Sequence, residues 1–164
     1  MLYVIPAAAA GVFAVAAVGD IRRRRIPNVL PMALVALGVV RLSLEAHPAA
    51  ALYTITAAAA VFGGGILLFW RGLIGGGDVK LTAAAVLLLG YHALPGFLLA
   101  MSFCGLAVTL TMLIAARVLP RFAVAASAPT PTPADASARP TIPYGVAIAA
   151  AGILILLLQP PIPG

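Results

Sequence analysis

Val12-Phe13-Ala14-Val15-Ala16-Ala17-Val18-Gly19-Asp20-Ile21-Arg22-Arg23-Arg24-Arg25 is an apolar run that stops at one carboxylate and four guanidinium groups. This is the order expected of a membrane helix that meets the cytoplasm at its C-terminal end, because basic residues are retained on that side. Ala14-Val15-Ala16 resembles a signal-peptide cleavage site, but no positive charge precedes the apolar run. A retained helix with its N-terminus outside is therefore expected.

The rest of the chain repeats the pattern. Its 164 residues are 63% hydrophobic and 9% charged, whereas soluble domains are about 25% charged. Six apolar segments are expected, at 2–19, 28–45, 50–70, 79–94, 96–117 and 143–159. The second, fourth and sixth are short, so their ends are exposed or the bilayer thins beside them. The predicted fold class is all-α: a polytopic membrane bundle of six transmembrane helices, forming one domain over 1–164.

Charge sets the expected orientation. Arg22 to Arg25, Arg71, Lys80, Arg117, Arg121 and Arg139 all fall at one end of this bundle, which is then cytoplasmic. Arg41 lies at the other end, where it snorkels outward or pairs with Glu45 four residues on. His47 and His92 fall in outer loops, and both termini are outside. The net charge of +6 reads as membrane topology. Nucleic acid is not expected as a partner, because the basic residues sit at helix ends without an aromatic-interleaved patch. Residues 123–141, rich in Pro, Ala, Ser and Thr, are expected to form a flexible cytoplasmic loop in which Asp135 is solvated. Cys104 stands alone, and no Cys-x-x-Cys pair exists to hold zinc; it reads as a small core residue. The tract Ala57 to Ala60 with Gly63-Gly64-Gly65 offers a small-residue surface for close helix packing.

Only four acidic residues are present. Asp20 and Asp78 stand at the edges of apolar segments, where a carboxylate costs roughly 2.5–3.5 kcal/mol on insertion scales and usually marks a site. The topology places both at the same depth. Paired carboxylates there can share one proton and activate a water. Each has a structural alternative. Asp78, after Gly75-Gly76-Gly77, suits a cap on segment four. For Asp20 the alternative is weaker: a solvated loop residue balanced by Arg23 or Arg24. The glycines suit close backbone approach or positive φ. Asn28 is expected to cap segment two, with Pro31 in its first turn. Lys80 is either an interface charge or electrostatic support for a carboxylate or substrate oxyanion. If Asp20 ends its helix, the macrodipole places the shared proton mostly on Asp20 and leaves Asp78 as the base. Local physics leaves two classes open: an intramembrane hydrolase, or a small ion-coupled transporter using the aspartates as ion ligands. Broken mid-membrane helices or repeated halves would favour the transporter, and neither is evident.

Three ordered motifs add a resemblance. Gly75-Gly76-Gly77-Asp78 is similar to the Gly-x-Gly-Asp signature of intramembrane aspartyl proteases. Asp20 with Arg22, Ile26, Pro27 and Asn28 resembles the first catalytic motif of type IV prepilin peptidases, and Gly77-Asp78-Val79-Lys80-Leu81 the second. Ile142-Pro143-Tyr144-Gly145 resembles the proline-glycine motif that opens their last helix. The Tyr-Asp and Pro-Ala-Leu motifs of the presenilin-like branch are missing. The resemblance implies a bacterial inner-membrane aspartic endopeptidase that removes the basic leader of prepilin-like proteins, after a glycine, at the cytoplasmic face. It implies no metal and no other cofactor. Catalytic roles fall on Asp20 and Asp78, with Gly75, Gly77, Lys80, Pro143 and Gly145 in support. Larger members add a cytoplasmic segment with paired cysteines linked to N-methylation. Here the first motif begins at residue 20, so the short form associated with tight-adherence (Flp-type) pili is expected, without methyltransferase activity.

The orientation is tested by single-cysteine labelling in a Cys104→Ser background. Positions near 24, 74 and 130 are expected to label from the cytoplasm, and those near 47 and 93 from outside. Outside labelling at residue 24 overturns both the orientation and the shared depth.

Overall fold

The computed structural model describes residues 4–23, 26–45, 47–118 and 144–158. Among them are six α-helices and no strand: α1 (Val4–Arg23), α2 (Val29–Ser43), α3 (Pro48–Trp70), α4 (Gly76–Leu89), α5 (Leu94–Val118) and α6 (Tyr144–Leu158). The all-α membrane bundle expected from composition is the fold observed. Val4–Arg22, Pro48–Trp70 and Tyr91–Ala115 are long and apolar enough to cross a membrane. Most residues of those spans point outward, including Leu52, Ile55, Phe103 and Leu113. In a soluble protein such a surface would be an aggregation hazard; here it is the face offered to lipid. The loop expected at 123–141 and Pro143 lie outside the described residues.

Two of the boundaries that differ from the sequence reading bear on the site and its far end. Segment one does not stop at residue 19; α1 continues through Asp20 to Arg23. Segment four ends at Leu89 rather than residue 94. Gly90 adopts φ +90°, and a short 3-10 turn, Tyr91–Ala93, redirects the chain into α5. This turn is pinned to α3: the Tyr91 N–H donates to Thr54 Oγ1 at 3.3 Å, and the Tyr91 ring lies 5.5 Å from that of Tyr53. The positive φ accounts for the glycine at 90, and Arg41 lies against it. Its Nη1 would stand 2.8 Å from a Cβ placed there. The guanidinium thus meets the C-terminal, negative end of α4, while Nη2 pairs with Glu45 at 3.7 Å.

Gly72 makes the other positive-φ turn, between α3 and α4. It takes φ +69°. The Gly72 N–H bonds the Phe69 carbonyl at 2.9 Å, and the Leu73 N–H bonds the Leu68 carbonyl at 3.0 Å. This is the paired bond pattern of a Schellman stop, which favours glycine at the left-handed position.

Close approaches define how the helices run. Gly145 faces Asp20 and Gly152 faces Phe13, so α6 is antiparallel to α1. Asn28 meets Lys80 and Gly38 meets Leu87 and Leu88, so α2 and α4 are parallel. Gly65 meets Val79 and Gly76 meets Phe69, which sets α3 antiparallel to α4. Gly96 meets Ile155 and Gly105 meets Ala147, which sets α5 antiparallel to α6. The starts of α2, α4 and α6 therefore lie at one end, beside the finish of α1. The core between them is built from Phe13, Leu34, Leu81, Val86, Leu88, Phe97 and Ile148. Of the small-residue tract on α3, Ala58 is buried and Gly65 is in contact, whereas Gly63 and Gly64 face open space. Cys104 is half-buried.

Membrane helices without an aqueous driving force associate through such small-residue contacts. At Gly152 a Cβ would lie 2.6 Å from Cζ of the fully buried Phe13. Gly152→Val is expected to cost about 1–3 kcal/mol by overpacking. Gly64→Ala, with nothing within 4 Å, should change stability by less than about 0.5 kcal/mol. Thermal unfolding of the two variants in detergent checks the contrast.

Candidate active site

The site is assembled where α1 ends and α2, α4 and α6 begin. Asp20 lies in the last turn of α1 and is 6% exposed. Viewed on its own helix, its carboxylate faces the wrong end of the macrodipole. The fold supplies a second helix. The backbone N–H of Val146, in the first turn of α6, donates to Asp20 Oδ2 at 3.2 Å. That N–H is one of the donors a helix leaves unpaired at its start, and a helix N-terminus favours negative charge. Asp20 thus caps α6 from across the bundle. The solvated-loop alternative does not hold, and the argument that placed the shared proton on Asp20 loses its basis.

Asp78 is the third residue of α4 and is half-buried. It is not the N-cap; Gly75 occupies that position with φ −71° and ψ 142°. The carboxylate turns back to the Gly75 backbone N–H, the reach-back relation that an acidic residue at the third helical position makes in a capping box. Capping and a chemical role are compatible, since the cap fixes where the carboxylate points. The charge of Asp20 acts on Asp78 across the gap between α1 and α4. Asp20 and Ile26 both lie against Gly145, and Ile26 also lies against Gly77, which adjoins Asp78, so two carboxylates 58 residues apart in sequence gather at one end of the bundle.

The three glycines before Asp78 have separate tasks. A Cβ at Gly75 would come within 3.1 Å of Asp78 Oδ2; at Gly76, within 3.3 Å of the Phe69 ring; at Gly77, within 3.4 Å of Ile26 Cβ. None of the three has positive φ, so close approach is the reason for them. Gly145 completes the set. A Cβ there would lie 2.7 Å from Asp20 Oδ2 and 2.9 Å from Ile26 Cδ1.

Ile26 is the residue whose role sequence reasoning missed. It sits in the α1–α2 connection and touches both Gly77 and Gly145, so one side chain spaces the starts of α4 and α6. The signal was present as two glycines flanking apolar helices, but no pattern says which side chain fills the space they leave. Lys80 is exposed, and its Nζ donates to Asn28 Oδ1 at 3.2 Å. Asn28 makes no capping bond to α2, contrary to expectation. Of the residues proposed from sequence, Asp20, Asp78, Gly75, Gly77, Lys80 and Gly145 gather at this end; Pro143 is outside the described residues.

The described helices thus form an all-helical membrane bundle with two carboxylates at one end. The chain belongs to the type IV leader peptidase family, whose model matches residues 7–110. That stretch contains both aspartates and stops within α5, so α6 and Gly145 lie outside it. No curated protein and no solved structure matches the chain. The protein is thus a membrane peptidase of the leader-peptidase kind.

Gly145 gives a sharp test of the geometry. An added methyl displaces the tips of Asp20 and Ile26 rather than backbone, so Gly145→Ala should fold and insert normally. Misplacing a reacting group by about 1 Å can cost about a hundredfold in rate, and a loss of that order in peptidase activity is expected. Unchanged turnover would show that Asp20 need not occupy its present position.

Proposed function

We propose that the protein is an aspartic endopeptidase whose dyad is Asp20 and Asp78. It removes the basic leader of prepilin-like proteins at the cytoplasmic face of the bacterial inner membrane, for pilus biogenesis, and both its termini lie outside. The observation behind this reading is the gathering of Asp20 and Asp78 around Ile26, Gly77 and Gly145 at one end of the bundle, in a chain of the leader peptidase family.

The chemistry follows from the pair. Two like charges so close favour holding a single proton between them. The ionised carboxylate takes a proton from water as the oxygen attacks the scissile carbonyl carbon. The protonated one donates to the carbonyl oxygen. When the tetrahedral adduct collapses, the C–N bond breaks and the departing amine takes a proton from the dyad. The newly formed carboxylate and amine are the two products. Gly75, Gly77 and Gly145 support this by letting backbone and Ile26 close around the carboxylates. Family membership makes the chain a peptidase, and no observation favours the ion-transport alternative.

The decisive experiment is co-expression with candidate prepilins, reading leader loss by mass. Asp20→Asn and Asp78→Asn should each lower cleavage by more than about a hundredfold with normal insertion, while Asp135→Asn leaves it intact. Near-normal processing by either dyad variant overturns the assignment.

A further inference from the structure

Asn28 presents a contradiction that the structure resolves. It occupies the N-cap position of α2, where an asparagine side chain ordinarily accepts the N–H of the second or third helical residue. Neither donor is available. The second residue, Leu30, gives its N–H to the Pro27 carbonyl at 3.1 Å. The third is Pro31, which has no N–H. Asn28 makes no side-chain bond to its own helix, and its backbone is already αR, with φ −59° and ψ −20°. Its amide oxygen instead accepts from Lys80 Nζ at 3.2 Å. Lysine has only donors, so the orientation of the amide follows from the contact.

The bond joins the α1–α2 connection to the first turns of α4. On one side it is two residues from Ile26; on the other, two residues from Asp78. Ile26 in turn lies against Gly77 and Gly145. We propose that Asn28 and Lys80 form a latch that seats Ile26 and thereby sets the approach of Asp78 to Asp20. Both are positioning residues, and neither touches the reacting atoms. The inference rests on the aspartic peptidase reading. It assigns Asn28 a role that its cap position conceals, and it replaces direct electrostatic support as the task of Lys80.

The test uses the full chain in liposomes with a prepilin-type substrate bearing a basic leader. Asn28→Ala and Lys80→Met should each lower kcat by roughly three- to tenfold, the scale of losing one exposed charged hydrogen bond, with KM within about twofold. The double variant should be no slower than the slower single one, because both changes remove the same contact. Asn28→Asp keeps an acceptor for the ammonium and should stay within about twofold of the parent. Multiplicative losses in the double variant overturn the latch. So does a slow Lys80→Met beside a normal Asn28→Ala, which would assign Lys80 to the substrate. A readout independent of turnover is a short bis-maleimide bridge in Asn28→Cys/Lys80→Cys/Cys104→Ser: efficient bridging is expected, and its absence overturns the geometry. If Asp20→Asn or Asp78→Asn retains activity, the dyad reading fails, but the coupling of positions 28 and 80 is still measured by the cycle and the bridge.

Discussion

The structure is organised around one constraint: two carboxylates, Asp20 and Asp78, stand at the same end of an apolar bundle. Each opposes insertion, and each repels the other. The even-numbered helices answer this by all starting at the same end. A helix start behaves as roughly half a positive charge, and three such starts surround the pair. Two first-turn donors are aimed at it, the N–H of Val146 toward Asp20 and that of Gly75 toward Asp78. Among the described residues, the alternating direction of the helices, with Asp20 in the last turn of the first, is enough to produce this. The alternation of direction therefore has an electrostatic consequence as well as a topological one.

Helix starts converge only if their backbones come close, and that is where the glycines enter. Gly77 and Gly145 both rest on Ile26, Gly76 on Phe69, and Gly65 on Val79. A methyl at any of these would push on the neighbour that positions the next helix. Farther from the site the same device recurs at Gly38 against α4 and Gly152 against Phe13. Gly11, Gly19, Gly63 and Gly64 meet nothing within 4 Å; glycine in a membrane helix is evidence of close packing only when a partner is present. The sequence displays both kinds identically.

That difference explains how far the sequence could be read. Segment number, helical class and the grouping of basic residues follow from transfer free energies, which are local properties of each residue. The shared depth of Asp20 and Asp78 followed from counting crossings. What was not legible depends on contacts between segments. Asp20 was weighed against its own helix, and the dipole that acts on it belongs to α6, 126 residues away. Asn28 was read as a cap from its position, while the loss of both its usual donors lay in Pro27 and Pro31. The break at Gly90 was missed because a glycine within an apolar stretch reads equally as helix interior; its φ of +90° and the 3-10 turn that follows appear only in the structure.

Helix length adds a further consequence. α2, α4 and α6 have 15, 14 and 15 residues, or about 21–23 Å at 1.5 Å per residue, short of a hydrocarbon core of about 30 Å. α3 and α5, with 23 and 25 residues, exceed it. The short helices are the three whose starts frame the dyad. α2 nevertheless shows Val29, Met32, Val35, Val39 and Val40 to the outside, so lipid beside it must thin or leave its ends wet. The hydrolysis proposed for the carboxylates needs water, and exposed backbone at hydrocarbon depth is costly unless it meets protein or water. Short helices at the dyad and long ones at the flanks reconcile the two demands. The long helices match the bilayer, and the short ones let the proposed site lie where water can reach it.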